Sequence, residues 1–144
     1  ANQFYQYEVS SWSKKNKYSN HNLNYWMYGD YLGVGPGAHS KITMNESIKR
    51  MIKLKAVQSY IDAPTKTKDF FINSESYDLD LAMNLLRIKQ GISFKEIEEK
   101  GIYIPDTFME KRLEGIEKGL LDKEGIKATS IGYKFLNDTI NLFS

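Results

Sequence analysis

Five residues, Gly33-Val34-Gly35-Pro36-Gly37, constrain the fold of this 144-residue chain more strongly than any other stretch. Glycine destabilises the interior of a helix or strand and proline removes a backbone donor, so neither regular structure continues through them. The pattern predicts a tight turn with positive φ values, which lets a planar ligand or another chain segment approach the backbone closely. A dinucleotide-binding loop is disfavoured, because the third glycine of its G-x-G-x-x-G fingerprint comes one residue early and strand-like sequence follows.

The sequence before residue 62 is typical of strands and turns, because aromatic and β-branched residues alternate with polar runs. The polar run at 10–20 indicates a surface loop, and Asn20 is expected to cap a short helix. The predicted elements are strands at 4–9, 31–34 (short and buried), 38–43 and 48–52, and helices at 22–28 and 55–61. Residues 62–76 are polar and are expected to be a connection.

The sequence from residue 77 onward is helical in pattern. Helix 77–89 is followed by two predicted capping boxes, one from Ser93 to Glu96 and one from Thr107 to Glu110, and Gly119 is expected to end the second of these helices. Residues 120–122 and 126–129 are expected to pair as short antiparallel strands around a turn. A last helix is expected to direct five side chains inward: Ile131, Phe135, Leu136, Ile140 and Phe143.

These elements indicate an α+β fold with a winged-helix-like C-terminal part. The domain boundaries that follow are 1–61 for the strand-rich part, 62–76 for a linker and 77–144 for the helical domain. Helix 107–118 would be the recognition helix of a stand-alone module that binds nucleic acid or protein. Nucleic-acid binding is not expected, because the net charge is only +2 and this helix has no basic excess. A packing or docking module without a ligand is the third alternative.

Composition excludes several classes of site. The chain has no cysteine, so it forms no disulfide, zinc–thiolate site or cysteine nucleophile of its own. We predict no catalytic residue and no metal ligand. We expect no transmembrane segment, since no apolar run approaches the length of about 20 residues that a span needs. We also find no secretory signal, and we therefore expect a cytoplasmic location.

Both histidines lie in the segment around the glycine turn. His21 is expected to be mainly structural, and His39, beside the turn, is equally compatible with a structural role and with a binding site. The aromatic residues of the same segment would either stack on a flat ligand or pack in a core, and their spacing favours the core. They are Tyr25, Trp26, Tyr28 and Tyr31. The adjacent carboxylates Glu98 and Glu99 are expected to lie on a solvated helix face.

Four motifs resemble one known family. They are QYEVSSWSK at 6–14, HNLNYW at 21–26, DYLGVGPGAHS at 30–40 and GLLDKEGIKATSIGYKFLNDTINLF at 119–143. In this order the chain resembles the HemW branch of the oxygen-independent coproporphyrinogen III oxidase (HemN) family. The resemblance spans nearly the whole chain and is closer to HemW, the haem-chaperone branch, than to the oxidases.

The resemblance implies a radical S-adenosylmethionine protein, with a partial (β/α) barrel followed by a mainly helical domain. Residues 1–61 would be the last strands of that barrel. The family holds a 4Fe–4S cluster through a C-x-x-x-C-x-x-C motif, which this chain lacks. We therefore expect a C-terminal fragment that is inactive alone and whose partner is the N-terminal part of its own full-length chain. The fragment is also expected to self-associate through residues 1–50, because exposed strand edges tend to pair.

The family's cofactors are the cluster, S-adenosylmethionine and, in HemW, haem. By resemblance, the cofactor- or tetrapyrrole-binding residues are Asn24, Gly35, Gly37 and His39, with His21 as a further candidate for haem contact. They would act as contacts and not as acid–base catalysts. Whether the parent is an oxidoreductase of porphyrin biosynthesis, which decarboxylates a porphyrinogen, or a protein that carries haem stays open from the sequence.

Overall fold

The structure, a computed structural model, describes residues 3–44 and 47–144. The expected mixed α/β class is confirmed, with small antiparallel sheets and several helices. In chain order the elements are β1 Tyr5–Glu8, β2 Ser11–Ser13, α1 Asn20–Trp26, β3 His39–Met44, β4 Ser47–Lys53, α2 Val57–Asp62, β5 Thr67–Ile72, α3 Ser74–Leu85, α4 Phe94–Glu99, α5 Asp106–Glu117, α6 Ser130–Lys134 and α7 Leu136–Asn141.

The chain divides into two compact units. We call residues 1–28 together with 75–144 the helical unit, and residues 29–74 the sheet unit. This division differs from the predicted boundaries, because the first 28 residues group with the C-terminal helices. The paired strands in the described residues are all antiparallel, so they do not show the parallel pairing of a barrel.

The helical unit has a core that excludes water. The helix predicted at 77–89 is present as α3, which ends at Leu85, and its Leu81 and Leu85 side chains are fully buried. Side chains from the following segments complete this core: Leu86, Ile88, Ile92, Ile97, Phe108, Leu121, Ile126, Ile140 and Phe143. Burying each of these side chains contributes about 1.5–3 kcal/mol, so this unit has its own source of stability.

The two predicted capping boxes have different outcomes. At α4 the box is present, because Ser93 Oγ accepts the Glu96 amide while the Glu96 carboxylate accepts the Ser93 amide. The Ser93 hydroxyl also donates to the Glu96 carboxylate, and this bond, followed by the one from the Ser93 amide, lowers the pKa of Glu96. At α5 the predicted box is wrong, because the helix begins at Asp106 with Pro105 as its N-cap and no side-chain capping bond. Gly119 follows the end of α5 with φ +70°, as expected.

The segment after α5 contains the predicted short antiparallel pairing. One isolated bridge of this pairing is present, Leu121 with Ala128, whereas Ile126 bridges to Ile92 before α4. Arg112 of α5 is buried beside the turn that joins 121 to 128 and donates hydrogen bonds to the carbonyls of Asp122, Lys123 and Gly125.

The prediction of one continuous last helix is wrong. The helix breaks at Phe135, where φ −109° and ψ 48° are not helical, and this leaves α6 and α7. Ile140 and Phe143 are buried as expected, whereas Ile131 is 60% exposed and Phe135 is 51% exposed. Because of this break, α6 and α7 do not share one helical repeat, and the five side chains do not form one buried apolar face.

The sheet unit is a three-stranded meander in which β3 pairs β4 and β4 pairs β5. The strands predicted at 38–43 and 48–52 are confirmed as β3 and β4. The connection predicted at 62–76 is wrong over 67–72, where β5 forms, and the loop predicted at 10–20 contains β2. The buried strand predicted at 31–34 is also wrong, since only Tyr31 makes a bridge, to Lys41.

The sheet unit has almost no apolar core. Among its described residues only Ser40, Lys41 and Ile48 are buried, and two of these three are polar. The large apolar side chains at 32, 34, 57, 61, 70 and 71 are exposed. A small sheet without a buried face is at most marginally stable.

Among the described residues, no helix combines the length and the apolar character that a bilayer crossing requires.

Candidate functional site

The glycine turn of the sheet unit uses its own backbone donors internally. The Gly33 amide donates to Ser40 Oγ at 2.9 Å, the Gly35 amide to the Tyr60 hydroxyl at 3.2 Å, and the Gly37 amide to the Leu54 carbonyl at 2.8 Å. Pro36 has no amide hydrogen. The turn therefore does not present these donors to a phosphate group, in agreement with the sequence argument against a dinucleotide loop.

The backbone geometry at each glycine of this turn disfavours any other residue. A Cβ atom at Gly33 would lie 2.1 Å from the His39 carbonyl oxygen, a distance that no side chain can occupy. Gly35 and Gly37 have φ values of +112° and +69°, in the region that glycine adopts without strain. At Gly35 nothing lies within 4 Å of the Cβ position, so the space there is open.

A buried lysine and a carboxylate hold the start of this segment against β3. Asp30 accepts hydrogen bonds from Lys41 Nζ at 3.1 Å and from the Thr43 amide and hydroxyl, both at 2.9 Å. The Lys41 side chain is 2% exposed. Burial opposes the charge of Asp30, but these hydrogen bonds outweigh it and lower its pKa. We call Asp30, Lys41 and Thr43 the Asp30 clamp.

The Asp30 clamp is not predicted by any pattern in the sequence. Asp30 and Lys41 are eleven positions apart, and only the antiparallel backbone pairing of Tyr31 with Lys41 brings them together. A buried lysine has no distinctive sequence signal. The expected strand 38–43 did contain Lys41, at a position where a charged residue in a half-buried strand already needed a partner.

The predicted site residue His39 begins β3 opposite Ile52 and is exposed. Next to it along the glycine turn are two exposed apolar side chains, Leu32 at 74% and Val34 at 86% exposure. Lys55 lies against Gly37, with its Cγ 3.5 Å from the Cβ position of that glycine. An imidazole, two apolar side chains and an ammonium group thus lie at or beside one turn of the sheet unit.

The other two predicted site residues, His21 and Asn24, lie on α1 in the helical unit, and both are exposed. Ser19, not Asn20, caps this helix, since its hydroxyl accepts the Asn22 amide. The His21 ring makes an edge contact with Tyr25 at 4.8 Å between ring centroids. Spacing of three positions along a helix places His21 and Asn24 on neighbouring turns of the same side.

Two aromatic residues of the candidate segment pack inside the helical unit. Arg87 lies 5.1 Å from the Trp26 ring, and the Tyr28 hydroxyl donates to Asp80 at 2.5 Å. Tyr28 is 6% exposed and makes an edge contact with Tyr77 at 5.9 Å. Burial, followed by the charge of Asp80, raises the pKa of Tyr77 to about 12. For Tyr28 this confirms core packing over ligand stacking.

The structure therefore groups Gly35, Gly37 and His39 on one turn, and His21 with Asn24 on one helix. Within residues 3–44 and 47–144, no three His, Cys, Asp or Glu side chains come together as metal ligands would. The chain contains no cysteine, so its residues do not fit the three-cysteine cluster motif that the resemblance implied.

Comparison with known proteins decides the relationship. "Heme chaperone HemW" of Buchnera aphidicola subsp. Acyrthosiphon pisum is 34% identical over 141 residues, which cover 95% of this chain and 37% of that protein. "Heme chaperone HemW" of Escherichia coli is 28% identical over 143 residues, covering 97% of this chain and 38% of that protein. This chain is homologous to HemW over nearly its whole length.

A further relative is "Radical S-adenosyl methionine domain-containing protein 1, mitochondrial" of Danio rerio, which is 26% identical to this chain over 157 residues. The chain spans 34–38% of the length of these three proteins. The resemblance predicted from the four motifs is thereby confirmed. No family model matches the chain, and no solved structure matches it.

Proposed function

We propose that this chain is the C-terminal part of a HemW-type haem chaperone and that it contributes part of the surface that contacts haem, the cargo of such a protein. The observation that carries the proposal is that proteins named as HemW haem chaperones align with 95% or more of the chain. The remaining length of those proteins would contain the first part of the barrel, the 4Fe–4S cluster and the S-adenosylmethionine site. Without them the chain alone would not perform radical chemistry.

The exposed surface of the sheet unit supports a covalent partner of this kind. Apolar side chains on both faces of β5 are exposed, Phe70 at 39% and Phe71 at 59%. A single free domain rarely exposes so much apolar surface in a sheet edge. The N-terminal part of the same polypeptide, packed on this unit as the rest of a barrel, is the occupant that we propose.

Two exposed imidazoles are available to haem iron, His39 and His21. Neutral histidine is a common axial ligand of haem, and the preformed glycine turn holds His39 at a fixed place on the sheet. Gly35 and Gly37 would let a flat ring approach the backbone, because neither carries a side chain. Asn24 of α1 is proposed separately, from the family resemblance, as a contact of the helical unit with cofactor or tetrapyrrole.

The alternative of a nucleic-acid-binding winged helix has less support. The cations of α5 are engaged within the helical unit: Arg112 with three carbonyls, Lys118 with Glu114, and Lys111 with Asp78 at 3.5 Å. Phosphate binding depends on cations that can leave such partners for the nucleic-acid backbone. A winged-helix-like arrangement would then serve for packing within the larger protein.

The proposal is tested by titrating the chain with ferric haemin and following the Soret band. We expect saturable binding with a Kd of about 1–10 µM, equivalent to about −7 to −8 kcal/mol. His39→Ala should weaken binding about tenfold or more and remove the spectral signature of imidazole ligation. His21→Ala makes the same change in the helical unit and is the matched variant, which should weaken binding less.

An unchanged Soret band in the wild-type chain would overturn the haem-contact proposal. Equal spectra for the wild type and for the double variant His21→Ala/His39→Ala would remove the histidines from it. The C-terminal-part proposal has its own test, which is to sequence the source gene upstream of this chain. We expect codons for a barrel with a C-x-x-x-C-x-x-C motif, and an upstream sequence without it would contradict the proposal.

A further inference from the structure

Leu32 and Val34 are apolar and exposed, one directly before the glycine turn and one within it. Resting on the function proposed above, we infer that these two side chains form the apolar contact for one face of the tetrapyrrole that His39 ligates. Neither residue was among the candidates that the sequence suggested. The two side chains would form a hydrophobic subsite that favours a flat apolar ring.

The first step is the proximity of these side chains to His39. Gly33 packs so tightly on the His39 backbone that a Cβ atom would lie 2.1 Å from the His39 carbonyl oxygen. Leu32 and Val34 are the chain neighbours of Gly33, each one Cα step of about 3.8 Å away. Both therefore lie within the span of a porphyrin ring from the His39 backbone.

The second step is the rigidity of the turn. Three internal hydrogen bonds use the amides of its glycines, and the Asp30 clamp fixes the segment that enters it. The two apolar side chains are consequently held out in the free protein, and little conformational entropy is lost when a ligand covers them. A mobile loop would gain less from the same contacts.

The third step is the chemistry around the two side chains. A tetrapyrrole has a broad apolar face and carboxylate groups at its rim. Open space at Gly35 leaves room for the flat ring, and the exposed Lys55 beside Gly37 supplies a cation for a carboxylate. Apolar contact, open space and a complementary charge therefore occur at or beside one turn, next to the imidazole.

The test is ferric haemin titration of Val34→Asp and Leu32→Asp, followed at the Soret band. A carboxylate placed under the apolar face should raise Kd at least tenfold, equivalent to about 1.4 kcal/mol. Ile131→Asp is the matched control, since Ile131 is 60% exposed in the helical unit and should leave Kd unchanged. Far-ultraviolet circular dichroism of each variant verifies that it folds, which exposed positions should allow.

The outcomes separate this inference from the function on which it rests. If the wild type binds haemin and Val34→Asp and Leu32→Asp bind equally well, the subsite is wrong and the proposed function stands. If all three aspartate variants weaken binding alike, haemin adheres to apolar surface without a site, and the inference is overturned. If the wild type does not bind haemin, the haem-contact function itself fails.

Discussion

The helical unit and the sheet unit are each stabilised internally, and the interactions that stabilise them differ. In the helical unit, Leu81, Leu85 and Phe143 are fully buried, and hydrophobic burial supplies the stability. In the sheet unit, Ile48 is the one apolar side chain that is buried among the described residues, while the strand ladders and the Asp30 clamp supply the order. The helical unit is therefore stabilised by its own apolar core, whereas the order of the sheet unit depends on hydrogen bonds and on one buried lysine with its carboxylate partner.

Both tryptophans, Trp12 and Trp26, lie in the helical unit, so tryptophan fluorescence reports on that unit. Amide hydrogen exchange reports on each unit residue by residue. With these two measurements, the stability of the helical unit and that of the sheet unit can be tested separately.

The largest effect is expected for Leu85→Ala, which leaves a cavity in the fully buried core of the helical unit. The free energy of unfolding should fall by about 2–5 kcal/mol, measured by urea titration with tryptophan fluorescence. Leu32→Ala is the matched control in the sheet unit, because Leu32 is 74% exposed, and it should change the same quantity by less than about 0.5 kcal/mol. Similar losses for the two variants would contradict the assignment of the core.

The second effect concerns Arg112→Met, which keeps much of the side-chain volume but removes donors to three carbonyls. Leaving these groups without their charged donor should lower the stability of the helical unit by about 2–4 kcal/mol. Lys118→Met on the same helix is the control, since it removes only an exposed pair with Glu114 and should cost about 0.5 kcal/mol or less. Equal urea midpoints for the two variants would show that Arg112 does not hold the turn.

The third effect lies in the sheet unit. Asp30→Asn removes the carboxylate that faces the buried Lys41 and should lower local stability by about 1–2 kcal/mol, less than for a fully buried pair because Asp30 is half-exposed. The measurement is exchange protection of the Thr43 amide, which donates to Asp30. Asp69→Asn is the control on the same sheet, because its pairing with Lys49 is at the surface.

The Asp30 clamp also makes the local stability of the sheet unit depend on pH. The pKa of Asp30 is lowered in the folded chain, so its stabilisation is present above the unfolded value of 3.8 and is lost as pH falls through the folded pKa. Protection of the Thr43 amide should decline over that acid range in the wild type. Asp30→Asn should lack this component, and an identical acid profile for both proteins would exclude the clamp as its cause.

The smallest expected change in stability is the difference between removing Ser93 and removing Thr107, the first residues of the two predicted capping boxes. Ser93→Ala removes a cap that the structure contains and should cost about 1 kcal/mol. Thr107→Ala makes a comparable change at a position without a capping bond and should be neutral within about 0.5 kcal/mol. Equal losses in urea titrations would mean that Thr107 also caps a helix.

Local sequence signals predicted those parts of the fold that depend on a few neighbouring residues. The capping box at Ser93, the stop at Gly119 and the strands on either side of the β3–β4 connection all follow from such signals. Thr107 was misjudged because Pro105 already has the extended geometry of a cap, which starts α5 earlier. Phe135 was misjudged because an apolar stripe does not reveal a break in the helix.

Features that depend on contacts between residues distant in the sequence could not be predicted from these patterns. The strand β5 was missed because only its second half is apolar and polar residues flank it on both sides, and pairing with β4 decides its conformation. Of the candidate site, Gly35, Gly37 and His39 were found through the glycine turn and the family resemblance. Lys41 and Arg112 were not found, since a buried cation is recognised only by the partners that surround it.

The hydrogen bonds of the Arg112 guanidinium require a fixed number of residues in the turn that it binds. Its three acceptors lie at 122, 123 and 125, so adding or deleting one residue there would displace at least one carbonyl from the planar fork. Natural length variation and engineered insertions should therefore be rejected at this turn, although it lies in a surface connection where they are ordinarily accepted. A peptide tag or reporter placed within it would unfold its surroundings.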